Sequence, residues 1–244
     1  MGRQIENSIF GLKTWVEIKR SMSHLIYPDH CLICDLEIVK DTSAICSFCK
    51  TEMHFTHFEK YTEPTELDKL FWGRINLAGT FALLLFEKGK STQKILHALK
   101  YKSNPAVGVE FGEEIAKRIQ SMRHFDDLDA LIPVPIHPKK AFIRGYNQSE
   151  QIAIGLSNVL TIPVDTHFLK KQEHTKSQTK RGRFDRWDNV VNNFVLRKQV
   201  KTPKHIAIVD DVITTGATIE ALVRSIHKNY PEIRVSIISL ALTK

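Results

Sequence analysis

The chain has 244 residues, of which 42% are hydrophobic and 25% are charged. This length and composition are typical of one sizeable folded domain with a small appendage, and they exclude disordered and fibrous proteins. Lys and Arg outnumber Asp and Glu by 35 to 27, and the net charge of +8 favours a polyanionic partner such as nucleic acid or a phosphorylated metabolite. A basic surface that serves only solubility is the alternative.

The first segment predicts an amphipathic helix over residues 4–24, which packs on the body of the protein or, as the alternative, on a partner. Its apolar positions repeat at helical spacing: Ile5, Ile9, Leu12 and Val16. Charges occur throughout, so we expect no signal peptide. The longest uncharged apolar stretch, Ile75–Phe86, is shorter than the roughly twenty residues of a membrane span. We therefore expect a cytoplasmic protein without membrane insertion.

The cysteines predict a small zinc module. All four lie within nineteen residues, as two C-x2-C pairs separated by eleven residues: Cys31, Cys34, Cys46 and Cys49. Two such turns supply four thiolates to one Zn²⁺ ion. Two disulfide bonds are the alternative, which a reducing compartment disfavours. Four cysteine ligands leave no open coordination position, so the zinc would be structural, and the module would support the fold or contact nucleic acid or a partner.

The rest of the chain predicts an α/β domain. Residues 57–70 are polar and irregular, which indicates a linker between a unit of residues 1–56 and a main domain of residues 71–244. Strand patterns occur at Ile75–Phe86 (or a hairpin across Ala78-Gly79), Ala130–Val134, His205–Val209 and Arg234–Leu240. Helix patterns occur at Thr92–Tyr101, Val107–Met122, Tyr146–Leu160 and Ala217–Lys228. This alternation favours a mostly parallel sheet with helices on both faces.

The segment from His205 to Thr218 carries the clearest chemical signal. A buried strand brings Asp210 and Asp211 to the carboxyl edge of the sheet, where open α/β folds bind ligands. The turn that follows is small, hydroxyl-rich and directly ahead of a helix, so its N–H groups can bind a phosphate: Thr214, Thr215, Gly216, Ala217 and Thr218. The two acids would then reach the hydroxyls of a ribose whose 5-phosphate lies in the turn.

This segment resembles the ribose-phosphate signature of the type I phosphoribosyltransferases over thirteen positions, Ile206–Thr218. Further stretches resemble the ComF family of competence-related proteins: Asp129-Ala-Leu-Ile-Pro-Val-Pro135, Arg144-Gly-Tyr-Asn-Gln148, Thr175-x-x-Gln178 and Arg186-x-x-Asn189. A four-cysteine module ahead of a phosphoribosyltransferase-like domain is also the arrangement that this resemblance implies. It covers essentially the whole chain. Arg181 departs from it, since an apolar residue is more familiar there.

The resemblance implies roles for individual residues. Asp210 and Asp211 are the candidate catalytic residues, and with the Thr214–Thr218 turn they would bind phosphoribosyl pyrophosphate (PRPP). Mg²⁺ would be held mainly by ligand oxygens and waters. Cations in the loop after Pro135 would receive the pyrophosphate, or else form a solvated loop face: Lys139, Lys140 and Arg144.

A basic segment, Phe168–Trp187, holds seven Lys and Arg against two acids, a net charge of +5. It is a candidate flexible loop that closes on pyrophosphate, a patch that grips single-stranded nucleic acid, or an exposed loop that does neither. Its candidate contact residues are Lys171, Thr175, Gln178, Arg181 and Arg186.

Two functions are compatible with these features. The ComF resemblance implies single-stranded DNA handling during DNA uptake and natural transformation, together with other DNA-uptake proteins. The intact ribose-phosphate signature favours a metabolic phosphoribosyltransferase that joins PRPP to a nucleobase or amine. PRPP could also act as a signal that tunes DNA handling. The sequence identifies no acceptor and no general base, so whether the protein is an enzyme stays open.

Overall fold

The structure is a computed structural model of the chain, and it describes residues 29–38, 43–101, 104–171, 194–197 and 202–243. The described residues divide into two units between Glu52 and Met53. The helix expected over residues 4–24 lies outside the described residues. No helix within the described ranges is both long enough and apolar enough to cross a membrane.

Short turns and one short helix make up the part of the first unit that the structure describes, residues 29–38 and 43–52. An antiparallel bridge joins His30 to Glu37 around the first cysteine pair. The second pair begins helix α1, Ser47–Thr51, and the sulfur of its N-cap residue Cys46 accepts the N–H of Cys49. Local hydrogen bonds to backbone and sulfur atoms therefore organise the region around the four cysteines.

A four-stranded parallel sheet forms the centre of the second unit. Its strands, in the spatial order β1-β6-β5-β2, are β1 (Gly79–Phe86), β2 (Ala130–Pro133), β5 (His205–Ile213) and β6 (Arg234–Thr243). A separate antiparallel pair consists of β3 (Leu169–Lys171) and β4 (Phe194–Leu196). The first five residues of β5 are fully buried. These strands confirm the predicted α/β class with a mostly parallel sheet.

Six helices of the second unit lie in the described ranges. They are α2 (Glu66–Phe71), α3 (Ser91–Tyr101), α4 (Pro105–Ile119), α5 (Pro138–Arg144), α6 (Gln148–Leu160) and α7 (Ala217–Asn229). Two 3-10 turns, Phe58–Lys60 and Arg123–Phe125, complete them. The apolar side chains of α3, α4, α6 and α7 that repeat at helical spacing are the buried ones.

The strand order creates a crevice between β2 and β5. From β2 the chain passes through α6 to Val164, which forms a parallel bridge with Leu131 on the side of β2 away from β5. From β5 the chain passes through α7 to β6, in the opposite direction. Right-handed crossovers in opposite directions place α6 and α7 on opposite faces of the sheet. The carboxyl ends of β2 and β5 thus form a topological switch point, where open α/β sheets bind ligands.

Several sequence-based boundaries differ from the structure. Strand β5 continues past Val209 to Ile213, because its backbone stays paired with β6 through Ile213↔Leu242. Strand β6 likewise extends past Leu240 to Thr243. The hairpin considered across Ala78-Gly79 is wrong, since β1 is one strand that begins at Gly79 and pairs with β6.

The segment of residues 57–70, expected to be a linker, carries regular structure. Besides its 3-10 turn it forms most of α2, which Thr65 begins in a capping box with Asp68. The second oxygen of Asp68 accepts the hydroxyl of Thr80 from β1 at 2.7 Å. Polar residues that indicated an irregular linker act instead as a helix cap and an anchor to the sheet.

Helices α4 and α6 approach each other through glycines. A Cβ atom on Gly155 would lie 2.0 Å from the carbonyl oxygen of Val109, and one on Gly112 would lie 2.2 Å from that of Ile152. Only hydrogen fits at this crossing. The contact fixes the position of α6, whose first turn lies at the crevice.

The substitution Gly155→Ala is expected to destabilise the fold by about 2 kcal/mol or more, because the added methyl group forces α4 and α6 apart. Urea unfolding measures the change. The control Ser157→Ala lies on the same helix and is expected to change stability by less than about 0.5 kcal/mol. Equal stability of Gly155→Ala and the unsubstituted protein would show that the helices do not pack this closely.

Candidate functional site

The two predicted acids lie together near the end of β5. Asp210 Oδ1 accepts the hydroxyl of Ser149 at 3.2 Å and the backbone N–H of Asp211 at 2.9 Å. Ser149 belongs to the first turn of α6, so this helix contacts a carboxylate carried by β5. The sequence did not indicate Ser149 as a site residue.

The pair carries an electrostatic cost. Burial and the adjacent charge of Asp211 raise the pKa of Asp210 to about 7, although the Asp211 N–H, Ser149 and Lys100 act in the opposite direction. At neutral pH the pair therefore exists in two protonation states. A ligand that donates hydrogen bonds favours the ionised form.

A lysine from outside the signature neutralises the second acid. The Nζ atom of Lys100, in the last turn of α3, lies 2.8 Å from Asp211 Oδ2. Nothing in the sequence pattern indicates this pair, because the two residues are more than a hundred positions apart.

The predicted phosphate turn lies between β5 and α7. Gly216 is the N-cap of α7 and has φ of 72°, a left-handed conformation that favours glycine. A Cβ atom there would also lie 2.6 Å from Cε1 of Phe71 in α2. The side chains of Thr214, Thr215 and Thr218 are exposed. Exposed hydroxyls and the first N–H groups of a helix are suitable donors for a phosphate.

Arg74 connects this turn to the buried side chain of Glu220. Its Nη1 donates to the carbonyl of Thr215 at 2.9 Å, and its Nε and Nη2 donate to Glu220 at 2.9 and 2.6 Å. The Glu220 side chain is 4% exposed and also pairs with Arg224. Arginine neutralises a buried acid close to the turn, which keeps the turn suitable for an anion. The sequence analysis missed Arg74, since a lone arginine carries no pattern.

The loop after Pro135 forms helix α5, on which Lys139 and Lys140 are exposed. Arg144 instead turns toward the protein, donates to Gln148 at 2.8 Å and lies over the Tyr101 ring. The structure therefore separates these three cations into two exposed lysines and one partly buried arginine.

The basic segment is largely outside the described residues. Lys171 is the last residue of β3, where its backbone pairs with Phe194. The other candidates in this segment, Thr175, Gln178, Arg181 and Arg186, lie outside the described residues. Their roles stay predictions.

The four cysteines form a single cluster in the first unit. All four thiols are unpaired, and their sulfur atoms lie within 4.8 Å of one another, with 3.7 Å between those of Cys34 and Cys46. A tetrahedral ion with metal–sulfur bonds of about 2.3 Å would separate its ligands by about 3.8 Å. The cluster can bind a metal ion such as zinc, and the donor set fits one.

Backbone N–H groups favour the thiolate form of one cysteine in this cluster. Although burial raises its pKa, N–H groups of Cys34, Cys46 and Ile33 lower the pKa of Cys31 to about 6. The donors of Ile33 and Cys46 lie 3.5 and 3.4 Å from its sulfur. A thiolate is the form that binds a metal.

Comparison with known proteins gives distant relatives, while no protein-family model matches the chain. Over 102 residues the chain is 36% identical to competence protein F of Haemophilus influenzae, a match that covers 41% of this chain and 44% of that protein. Over 227 residues it is 24% identical to the DNA utilization protein YhgH of Shigella flexneri, which covers 84% of this chain and 93% of that protein. The corresponding protein of Escherichia coli K12 is 23% identical over the same length.

The raised pKa of Asp210 leads to a prediction about stability. An acid whose pKa is higher in the folded state stabilises the fold at low pH, and this contribution is lost as the pH rises through about 7. Asp210→Asn removes the titrating charge and retains an acceptor for Ser149. We expect it to raise stability at pH 8 by about 1–4 kcal/mol, and by less at pH 5.

Thermal unfolding at both pH values measures this difference. Asp126→Asn, which replaces an exposed carboxylate, is the control and should shift stability equally little at each pH. An Asp210→Asn protein that is less stable than the unsubstituted protein at pH 8 would contradict the assignment of a costly charge to this site.

Proposed function

We propose, from the premise that this chain is a ComF-like homologue of competence protein F and of the DNA utilization protein YhgH, that it handles single-stranded DNA during DNA uptake and binds PRPP in its α/β domain. The observation that carries the ligand proposal is the junction of Asp210, Asp211 and the Thr214–Thr218 turn at the switch point of the sheet. The names of the relatives, competence protein and DNA utilization protein, support the DNA role.

In the proposed complex, the turn holds the 5-phosphate and the two carboxylates accept hydrogen bonds from the ribose hydroxyls. Mg²⁺ would bind to pyrophosphate and ribose oxygens and retain several waters, and it would offset the charge of the pyrophosphate. The residues of this chain would position the ribose ring, and the ligand itself would supply most of the oxygen atoms that coordinate the ion. In this proposal the site binds PRPP without reacting with it.

An exposed part of α5 supports a contact with single-stranded DNA. Phe142 and Ile143 are 90% and 81% exposed, and no residue of α5 is buried. Lys139 and Lys140 are exposed on the same helix. Aromatic rings that stack on bases and lysines that contact phosphates are the usual elements of single-strand binding. The basic segment Phe168–Trp187 would add to this charge.

This proposal predicts binding that weakens steeply with salt, because counterions are released from the strand. Fluorescence anisotropy of a labelled single-stranded oligonucleotide, titrated with the full chain, measures it. Phe142→Ala should weaken binding by about fivefold to a hundredfold through loss of stacking. PRPP with Mg²⁺ should also weaken it, since two anionic ligands would share Lys139 and Lys140.

The matched control is Lys117→Ala, an exposed lysine on α4, which should leave affinity within about twofold. Affinity that does not change with salt would reject the electrostatic account. Affinity unchanged by Phe142→Ala and by replacement of both α5 lysines would reject α5 as the contact surface.

A metabolic phosphoribosyltransferase is the second candidate function, favoured by the paired carboxylates beside the threonine turn. The bond from C1 of the ribose to pyrophosphate would break, and a bond to a nucleobase or amine would form. Pyrophosphate release in a screen of bases and amines, abolished by the double change Asp210→Asn and Asp211→Asn, would support this function. No release with any acceptor would count against it.

The cysteine cluster is proposed to hold one structural Zn²⁺. Four thiolates fill a tetrahedral site, so the ion would stabilise the first unit and take no part in chemistry. The short elements that surround the cysteines, within residues 29–38 and 43–52, support a role of this kind. We also expect a cytoplasmic location, where such thiols stay reduced, and contacts with other DNA-uptake proteins.

Purified protein is expected to contain about one zinc ion per chain, measured by elemental analysis. Cys46→Ser should lower the zinc content and increase proteolysis within residues 29–52, whereas Ser47→Ala, at the neighbouring exposed position, should change neither. Mass spectrometry that shows two disulfide bonds and no metal would reject the zinc proposal.

A further inference from the structure

The end of helix α3 lies against the acidic pair. Lys100 and Asp211 approach to 2.8 Å, and their side chains are 23% and 14% exposed. Holding a long lysine side chain in one geometry, largely out of water, costs free energy. We therefore expect the lysine to serve mainly to orient the Asp211 carboxylate, and to contribute little to stability.

The neighbours of Lys100 hold it at the crevice. The carbonyl of Leu99 accepts the hydroxyl of Tyr146 at 2.6 Å, and the Tyr101 ring lies 5.6 Å from the guanidinium carbon of Arg144. Residues on both sides of Lys100 are thus tied to the connection between β2 and α6. The end of α3 that carries Lys100 is therefore held by contacts from outside its own helix.

The hydrogen bonds of Asp210 and the ion pair of Asp211 leave one oxygen available on each carboxylate. Asp211 Oδ2 contacts Lys100, and Asp210 Oδ1 accepts Ser149 and a backbone N–H. In the described part of the chain, neither Asp210 Oδ2 nor Asp211 Oδ1 has a hydrogen-bond donor. Two acceptors on adjacent residues match the two neighbouring hydroxyl donors of a ribose ring.

We propose that Lys100 is a positioning residue of the ribose site, which orients Asp211 and neutralises one charge of the pair so that the remaining carboxylate oxygens accept the two ribose hydroxyls. This inference rests on the proposed PRPP site. It adds to that site a residue from α3, outside the Asp-Asp and Thr-Thr-Gly segments.

The test measures binding of PRPP and of ribose 5-phosphate, each with Mg²⁺, by titration calorimetry. Lys100→Met should weaken both ligands by about tenfold or more, because Asp211 would lose the ion pair that orients its carboxylate. Lys100→Arg, which keeps the charge, should recover most of the affinity. Lys117→Met on α4 is the control and should bind both ligands like the unsubstituted protein.

A double-mutant cycle shows whether Lys100 acts through Asp211. In the Asp211→Asn background, Lys100→Met should cause no further loss, because its partner has been removed. A further loss, or a loss confined to PRPP, would mean that the lysine contacts pyrophosphate directly and would overturn the proposal. Unchanged binding by Lys100→Met would overturn it as well.

A ligand-free measurement separates this inference from the proposed function. Asp211 is faced by Lys100 and Asp210, and Asp210 is faced by Ser149. Lys100→Met should therefore lower the melting temperature more at pH 8 than at pH 5, whereas loss of a packing contact alone would lower both equally and count against the proposal. If the unsubstituted protein binds neither ligand while this pH effect holds, the PRPP site is wrong, and the Lys100–Asp211 pair has only an electrostatic role.

Discussion

Two carboxylates on adjacent residues near the end of a buried strand repel each other, and the surrounding elements compensate for that repulsion. Asp210 receives a hydroxyl from α6 and a backbone N–H, and Asp211 receives the ammonium group of Lys100 from α3. Even so, burial and the second charge keep the pKa of Asp210 raised. The site thus contains an unfavourable interaction that a bound hydrogen-bond donor could relieve. Binding sites commonly lower the stability of the unbound protein in this way.

The same arrangement recurs at the phosphate turn. A buried acid, Glu220, lies one turn into α7, and Arg74 bridges it to the carbonyl of Thr215. Without the arginine, the negative charge would oppose a phosphate at the start of the helix. Both halves of the site therefore depend on a cation supplied from elsewhere in the chain, and the close contact of α4 with α6 fixes the helix that carries Ser149.

The sequence was informative wherever the chemistry lies in one continuous segment. The cysteine spacing predicted the cluster, and the run from His205 to Thr218 predicted the strand, the acids and the turn. It did not indicate Lys100, Arg74 or Ser149, since each acts on a residue more than sixty positions away and single polar residues have no pattern. The length of β5 was underestimated because charged residues suggested a strand end, whereas backbone pairing with β6 continues beneath them.

The connection from β2 to α6 links the proposed ligand to the proposed DNA contact. One end of it touches Asp210 through Ser149, its middle exposes the lysines and apolar side chains of α5, and Arg144 and Tyr146 attach it to α3 beside Lys100. If single-stranded DNA moved α5 on binding, the movement would therefore shift the groups that contact both carboxylates, Ser149 on α6 and Lys100 on α3. Coupling between two bound anions at this place needs no distant pathway, because one short segment carries both contacts.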